Sequence, residues 1–138
     1  YQFDKGGDYV IFKRNEGFRF TFEQPVKAAF RLMKNGEPIE PQASYIPAEI
    51  LDISPKGMKI STAFDIKDEL TEDVQFFIIY CLDTLEIQSY GELVWRRRSG
   101  DEFLYGLYFH AQEENEQKII SELKIRRRKE LKIGERRS

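Results

Sequence analysis

The chain has 138 residues and a formal net charge of −2, with 41% hydrophobic and 14% aromatic residues, which fits one folded domain and excludes a disordered chain. Its longest apolar run, Phe76 to Leu82, is far short of the roughly 20 residues of a membrane-spanning helix, and no basic-then-apolar signal opens it, so a soluble chain is expected. One cysteine, Cys81, and one histidine, His110, exclude an internal disulfide, a clustered metal site and a nucleophile relay, so no catalytic residue, metal or cofactor is expected.

Val26, Ala28, Phe30 and Leu32 alternate with Lys27, Ala29 and Arg31, the period of a half-buried strand, and Asn35-Gly36 ends it as a turn. After a loop with two prolines, Ile46 to Ile53 and Met58 to Thr62 read as two more strands, joined by Ser54-Pro55-Lys56-Gly57. Val74 to Leu82 is a continuous apolar run of strand length, in which Cys81 is expected to pack as a small hydrophobe. Leu85 to Arg97 alternates around Gly91, where a bulge or bend is expected. Ser99-Gly100-Asp101 turns the chain into a last strand, Phe103 to Phe109.

Six strands joined by short connections predict an all-β, six-stranded antiparallel barrel, because closing the sheet removes unpaired edges. The aromatics Phe30, Phe76, Phe77, Tyr105, Tyr108 and Phe109 fall in these strands, where alternate positions should feed the core, and are expected as packing residues. Alternation places Arg97 on the side of Trp95 and turns Arg96 and Arg98 away, which reads as strand-end charge rather than a nucleic-acid patch. From Glu113 onward Ile119, Ile120 and Leu123 recur at helical spacing and predict a C-terminal amphipathic helix on the barrel. Lys124 to Ser138 carries eight Lys/Arg against two Glu. This tail reads as a solvated, frayed end, or else as a segment that binds an anion or folds over a ligand.

The connection Asp52-Ile53-Ser54-Pro55-Lys56-Gly57 resembles the D/N-x-S-x-x-G signature of PilZ domains, receptors for cyclic di-GMP. The segment around Trp95 and Tyr105-Gly106-Leu107-Tyr108-Phe109 is similar to that family's last barrel hairpin. The family's second signature, R-x-x-x-R before the barrel, is matched by Arg19 at its second arginine. Its first position holds Asn15, with Arg14 one residue earlier and Gly17 available to bend the backbone between them.

The resemblance implies a PilZ-type barrel and a set of ligand-binding residues. A cyclic dinucleotide offers phosphates and guanine faces, so Arg14 and Arg19 would fork onto phosphate or guanine and stack. Asp52 would accept from guanine N–H groups, Ser54 would add a hydroxyl, and Gly57 would let the backbone approach. As an ordinary turn, the same residues would bond their own backbone, with Gly57 at positive φ.

Three divisions are expected: 1–20 a basic N-terminal switch, 21–111 the barrel, and 112–138 the helix and basic tail. The function implied is that of a bacterial, cytoplasmic cyclic di-GMP receptor whose N-terminal segment orders over the ligand and alters a protein partner or an adjoining domain. An upstream domain is expected because the sequence begins at Tyr1 rather than Met. The alternative is a degenerate PilZ domain that acts as a nucleotide-independent adaptor, favoured by Asn15. A single-strand nucleic-acid barrel would need its arginines and aromatics on one face, and the acidic balance disfavours it.

Overall fold

The structure, a computed structural model, describes residues 19–39, 44–66, 73–110 and 113–137. Arg14, Asn15 and the rest of the expected N-terminal switch up to residue 18 lie outside the described residues. Among the described residues seven strands form one antiparallel sheet: β1 (Phe20–Lys34), β2 (Glu37–Pro38), β3 (Ile46–Ser54), β4 (Gly57–Thr62), β5 (Gln75–Cys81), β6 (Glu86–Ser99) and β7 (Glu102–Phe109). The order β2-β1-β3-β4-β7-β6-β5, with β1 also paired to β5, closes six of them into a barrel. β2 is a two-residue flap beyond the Asn35-Gly36 turn, where both residues take positive φ. The expected six-stranded barrel is therefore the observed one.

The interior follows the alternation. Phe30, Ile50, Ile60, Phe76, Ile78, Ile87 and Tyr105 are all fully buried or nearly so, and Phe30 stacks on Phe76 with ring centroids 5.0 Å apart. Three expectations are corrected, and the strand aromatics divide by parity. β1 begins at Phe20, six residues before Val26: Phe20 and Phe22 share the parity of Val26 and reach the core as well, across a register shift between Thr21 and Val26. Cys81 is exposed, since strand parity sends Tyr80 inward and its neighbour out. Phe77 and Tyr108 lie on the outer face by the same parity, Phe77 against Tyr90 at 4.9 Å between centroids. Gly91 is paired in register with Phe76 and Phe109, and the bulge falls later, between Leu93 and Trp95. A Cβ at Gly91 would come within 3.1 Å of the Leu107 side chain, so crowding inside the barrel explains this glycine.

The helix α1 (Glu113–Arg137) buries Ile119 and Leu123 against the barrel, worth about 1.5–3 kcal/mol each. Three acidic residues in its first turn and the basic run at its end both complement the helix dipole. The described part of the tail is therefore helical rather than frayed. The helix runs on to Arg137, Arg126 donates to the Leu82 carbonyl at 2.8 Å and lies over the Phe22 ring, and Lys129 pairs with Asp83 at 3.0 Å. Glu122, only 1% exposed, accepts hydrogen bonds from the backbone N–H groups of Asp83, Thr84 and Leu85 at 2.8–3.0 Å and so ties α1 to the β5–β6 turn. Burial raises a carboxyl pKa, but these donors and the Thr84 hydroxyl outweigh it and hold Glu122 below its ordinary value.

Candidate functional site

Two β-bulges build the site. In β3 the pairing passes from Ile50↔Ile60 to Asp52↔Lys59, so Leu51 is an extra residue and the parity of the strand changes. Plain alternation from Ala48 and Ile50 would send Asp52 into the core. The bulge turns Asp52 to the outer face instead and returns Ile53 to the interior opposite Met58. In β6 the pairing passes from Leu93↔Leu107 to Trp95↔Gly106, with Val94 as the extra residue, and Trp95 is turned outward in the same way. Asp52, Lys59, Gly106 and Trp95 thus form one row across β3, β4, β7 and β6.

The floor of this row is low because it holds glycines. A Cβ on Gly106 would stand 2.1 Å from the Trp95 indole nitrogen, so the indole lies directly against the bare backbone. In the adjoining row a Cβ on Gly57 would stand 2.3 Å from the Leu107 carbonyl oxygen. Gly57 is not among the positive-φ residues described, so close approach of β7, rather than an unusual turn, requires glycine here. The result is an open groove of about 640 Å³, to which Arg19, Lys56, Lys59, Val94, Trp95 and Tyr108 present side chains.

Asp52 is 9% exposed and is held between two cations: Arg19 Nε at 2.9 Å from Oδ1 and Lys59 Nζ at 3.5 Å from Oδ2. The pairing directs Arg19, whose side chain is 46% exposed, along the groove, and its terminal nitrogens have no protein partner among the described residues. Ser54 lines the groove, but its hydroxyl accepts the Lys56 N–H at 3.2 Å and lies 3.5 Å from the Gly57 carbonyl, to which it donates. It braces the turn. The Lys56 carbonyl in turn accepts the Phe109 N–H at 2.7 Å, fixing the turn to β7.

Of the expected binding residues, Arg19, Asp52, Ser54 and Gly57 come together on one groove, while Arg14 lies outside the described residues. Lys56, Lys59, Trp95 and Tyr108 join them without having been singled out as site residues. Trp95 is 40% exposed and Tyr108 41%. The signal for Trp95 was the Trp-to-Gly pairing between the two arms of the last hairpin, where a large ring can lie over a missing side chain. Arg97 stands over Trp95 at 5.7 Å, as alternation required, and Arg96 donates to the Ile66 carbonyl at 2.8 Å on the other side. Such a groove offers a flat apolar face, several cations and one buried carboxylate, which suits a planar, anionic, N–H-bearing ligand. Among the described residues no group of three or more His, Cys, Asp or Glu is placed to hold a metal ion. No described helix is long and apolar enough to cross a membrane.

The sequence matches the family model described as PilZ domain over residues 12–126. Comparison with curated proteins found no match. Among solved structures, the crystal structure of YcgR in complex with c-di-GMP from Escherichia coli superposes with a TM-score of 0.57 at 16% identity, covering 89% of this chain and 51% of that one. The chain therefore spans about half the length of that protein, and at this identity the likeness is one of fold.

Proposed function

The chain belongs to the PilZ domain family, and on that premise we propose that it is a receptor domain for cyclic di-GMP, which it binds in the groove between Asp52 and Trp95. One observation carries the reading: two bulges turn a carboxylate and an indole to the same face, over glycines, with Arg19 and Lys59 already gathered on the carboxylate. YcgR, of the same fold, holds c-di-GMP.

In this reading a guanine stacks on Trp95, and the terminal nitrogens of Arg19 fork onto phosphate or guanine while Asp52 holds the guanidinium by Nε. Asp52 also has lone pairs left for a guanine N–H. Lys59 adds charge beside the phosphates, and Ser54 and Gly57 shape the turn that bounds the groove. The segment before β1, with Arg14, would then fold over the ligand, and the new surface would act on a partner or an adjoining domain in a bacterial cytoplasm. The domain would bind and signal without catalysing a reaction. The adaptor reading, in which the fold serves protein contacts without nucleotide, is favoured by Asn15 at the first arginine position.

Arg19→Ala should weaken cyclic di-GMP binding by about 2 kcal/mol or more, roughly thirtyfold, since a charge-assisted fork is lost. Titration calorimetry reads this directly, and an unchanged affinity would remove Arg19 from the site. Trp95 is the sole tryptophan, so its fluorescence reports the groove alone. A saturable change in its emission on adding cyclic di-GMP is expected, and emission that stays constant while calorimetry detects binding would place the ligand elsewhere.

A further inference from the structure

The turn that carries the signature also touches the C-terminal helix. Lys56 occupies a position the D-x-S-x-x-G pattern leaves undefined, lines the groove, and places its Nζ 2.9 Å from Oε2 of Glu116 in the first turn of α1. The pair is only partly solvated, with side chains 25% and 15% exposed. Lys56 therefore borders two sites: the groove, which it lines, and a carboxylate of α1, with which its ammonium pairs. Asn115 in the same turn donates to the exposed Gln88 carbonyl, and farther along α1 is fastened away from the groove by Glu122 on the β5–β6 turn and Arg126 on Leu82.

We propose that Lys56 is a phosphate-binding residue of the groove and that an anionic ligand takes it over from Glu116, so that occupancy of the groove loosens the first turn of α1 from the barrel. The proposal rests on the receptor reading above. A doubly charged cyclic dinucleotide brings more negative charge to the groove than the carboxylate it displaces, and a lysine ammonium on a flexible stem can swing between the two. Glu122 and Arg126 stay in place, so the change is confined to the start of the helix and is passed to whatever packs there.

The test is calorimetry of the whole chain with cyclic di-GMP at low salt. Glu116→Gln removes the competitor and should tighten binding about threefold to fivefold, the upper range for loss of a partly exposed ion pair. Lys56→Met should weaken binding roughly fivefold or more, and adding Glu116→Gln to it should change nothing further, because the two act through one contact. Glu114→Gln, the same charge change in the same helical turn on an exposed residue, should leave affinity within about twofold. Amide exchange over residues 113–118 should quicken on ligand binding in the unsubstituted chain and not in Lys56→Met. Glu116→Gln that binds no tighter than the unsubstituted chain, or that tightens binding equally in the Lys56→Met background, would overturn the coupling. An unsubstituted chain that binds no cyclic di-GMP would overturn the receptor reading itself, and the coupling with it.

Discussion

Replacing Gly57 by alanine is expected to lower the stability of the domain by about 1–3 kcal/mol, the range for overpacking a close-packed site. The added Cβ would lie 2.3 Å from the Leu107 carbonyl oxygen, and that oxygen belongs to the backbone of β7 beside the Met58↔Leu107 and Gly57↔Tyr108 pairs. Relief requires the β4–β7 ladder to open at the very place where the groove is built. Gly106→Ala makes a useful contrast: its Cβ would meet the Trp95 ring, a side chain that can swing out, so the groove should change more than the stability. Urea denaturation of both variants measures the difference. A Gly57→Ala protein within about 0.5 kcal/mol of the unsubstituted chain would mean that β7 does not approach this closely.

Glu122→Ala should cost about 1–3 kcal/mol, because three backbone N–H groups lose their common acceptor at a part-buried turn. The same carboxylate gives a pH dependence with a definite sign. Its pKa in the folded chain is lowered from 4.5, so its stabilisation is present above that value and is lost as pH falls through the folded pKa. Thermal melts from neutral pH down to about pH 3 should therefore show the unsubstituted chain and Glu122→Gln converging in acid. Curves that stay parallel throughout would show that Glu122 is not the carboxylate that fastens α1.

The barrel was legible in the sequence because alternation and turn residues report strands directly: Phe30, Ile60 and Phe76 are placed as the pattern required. The signature turn was equally legible, and Arg19, Asp52, Ser54 and Gly57 do meet on one groove. The orientation of the groove was not. Leu51 and Val94 are ordinary strand residues, and nothing in their identity marks them as the extra residue of a bulge, yet those two insertions turn Asp52 and Trp95 outward. Plain alternation would have turned both into the barrel interior. Gly57 illustrates a second limit: its need for glycine comes from β7, some fifty residues away in sequence, and local turn chemistry gives no hint of it. Glu122 is the same kind of case, a charged residue among helix-face charges until the β5–β6 turn is folded against it.

Titration calorimetry of the chain with cyclic di-GMP, with GTP and a short single-stranded oligonucleotide as controls in the same moderate-salt buffer, tests the central claim most directly. Micromolar or tighter binding of the cyclic dinucleotide, with neither control binding comparably, is the predicted result. An absence of binding to cyclic di-GMP would contradict the receptor reading and turn attention to a protein partner for the same barrel.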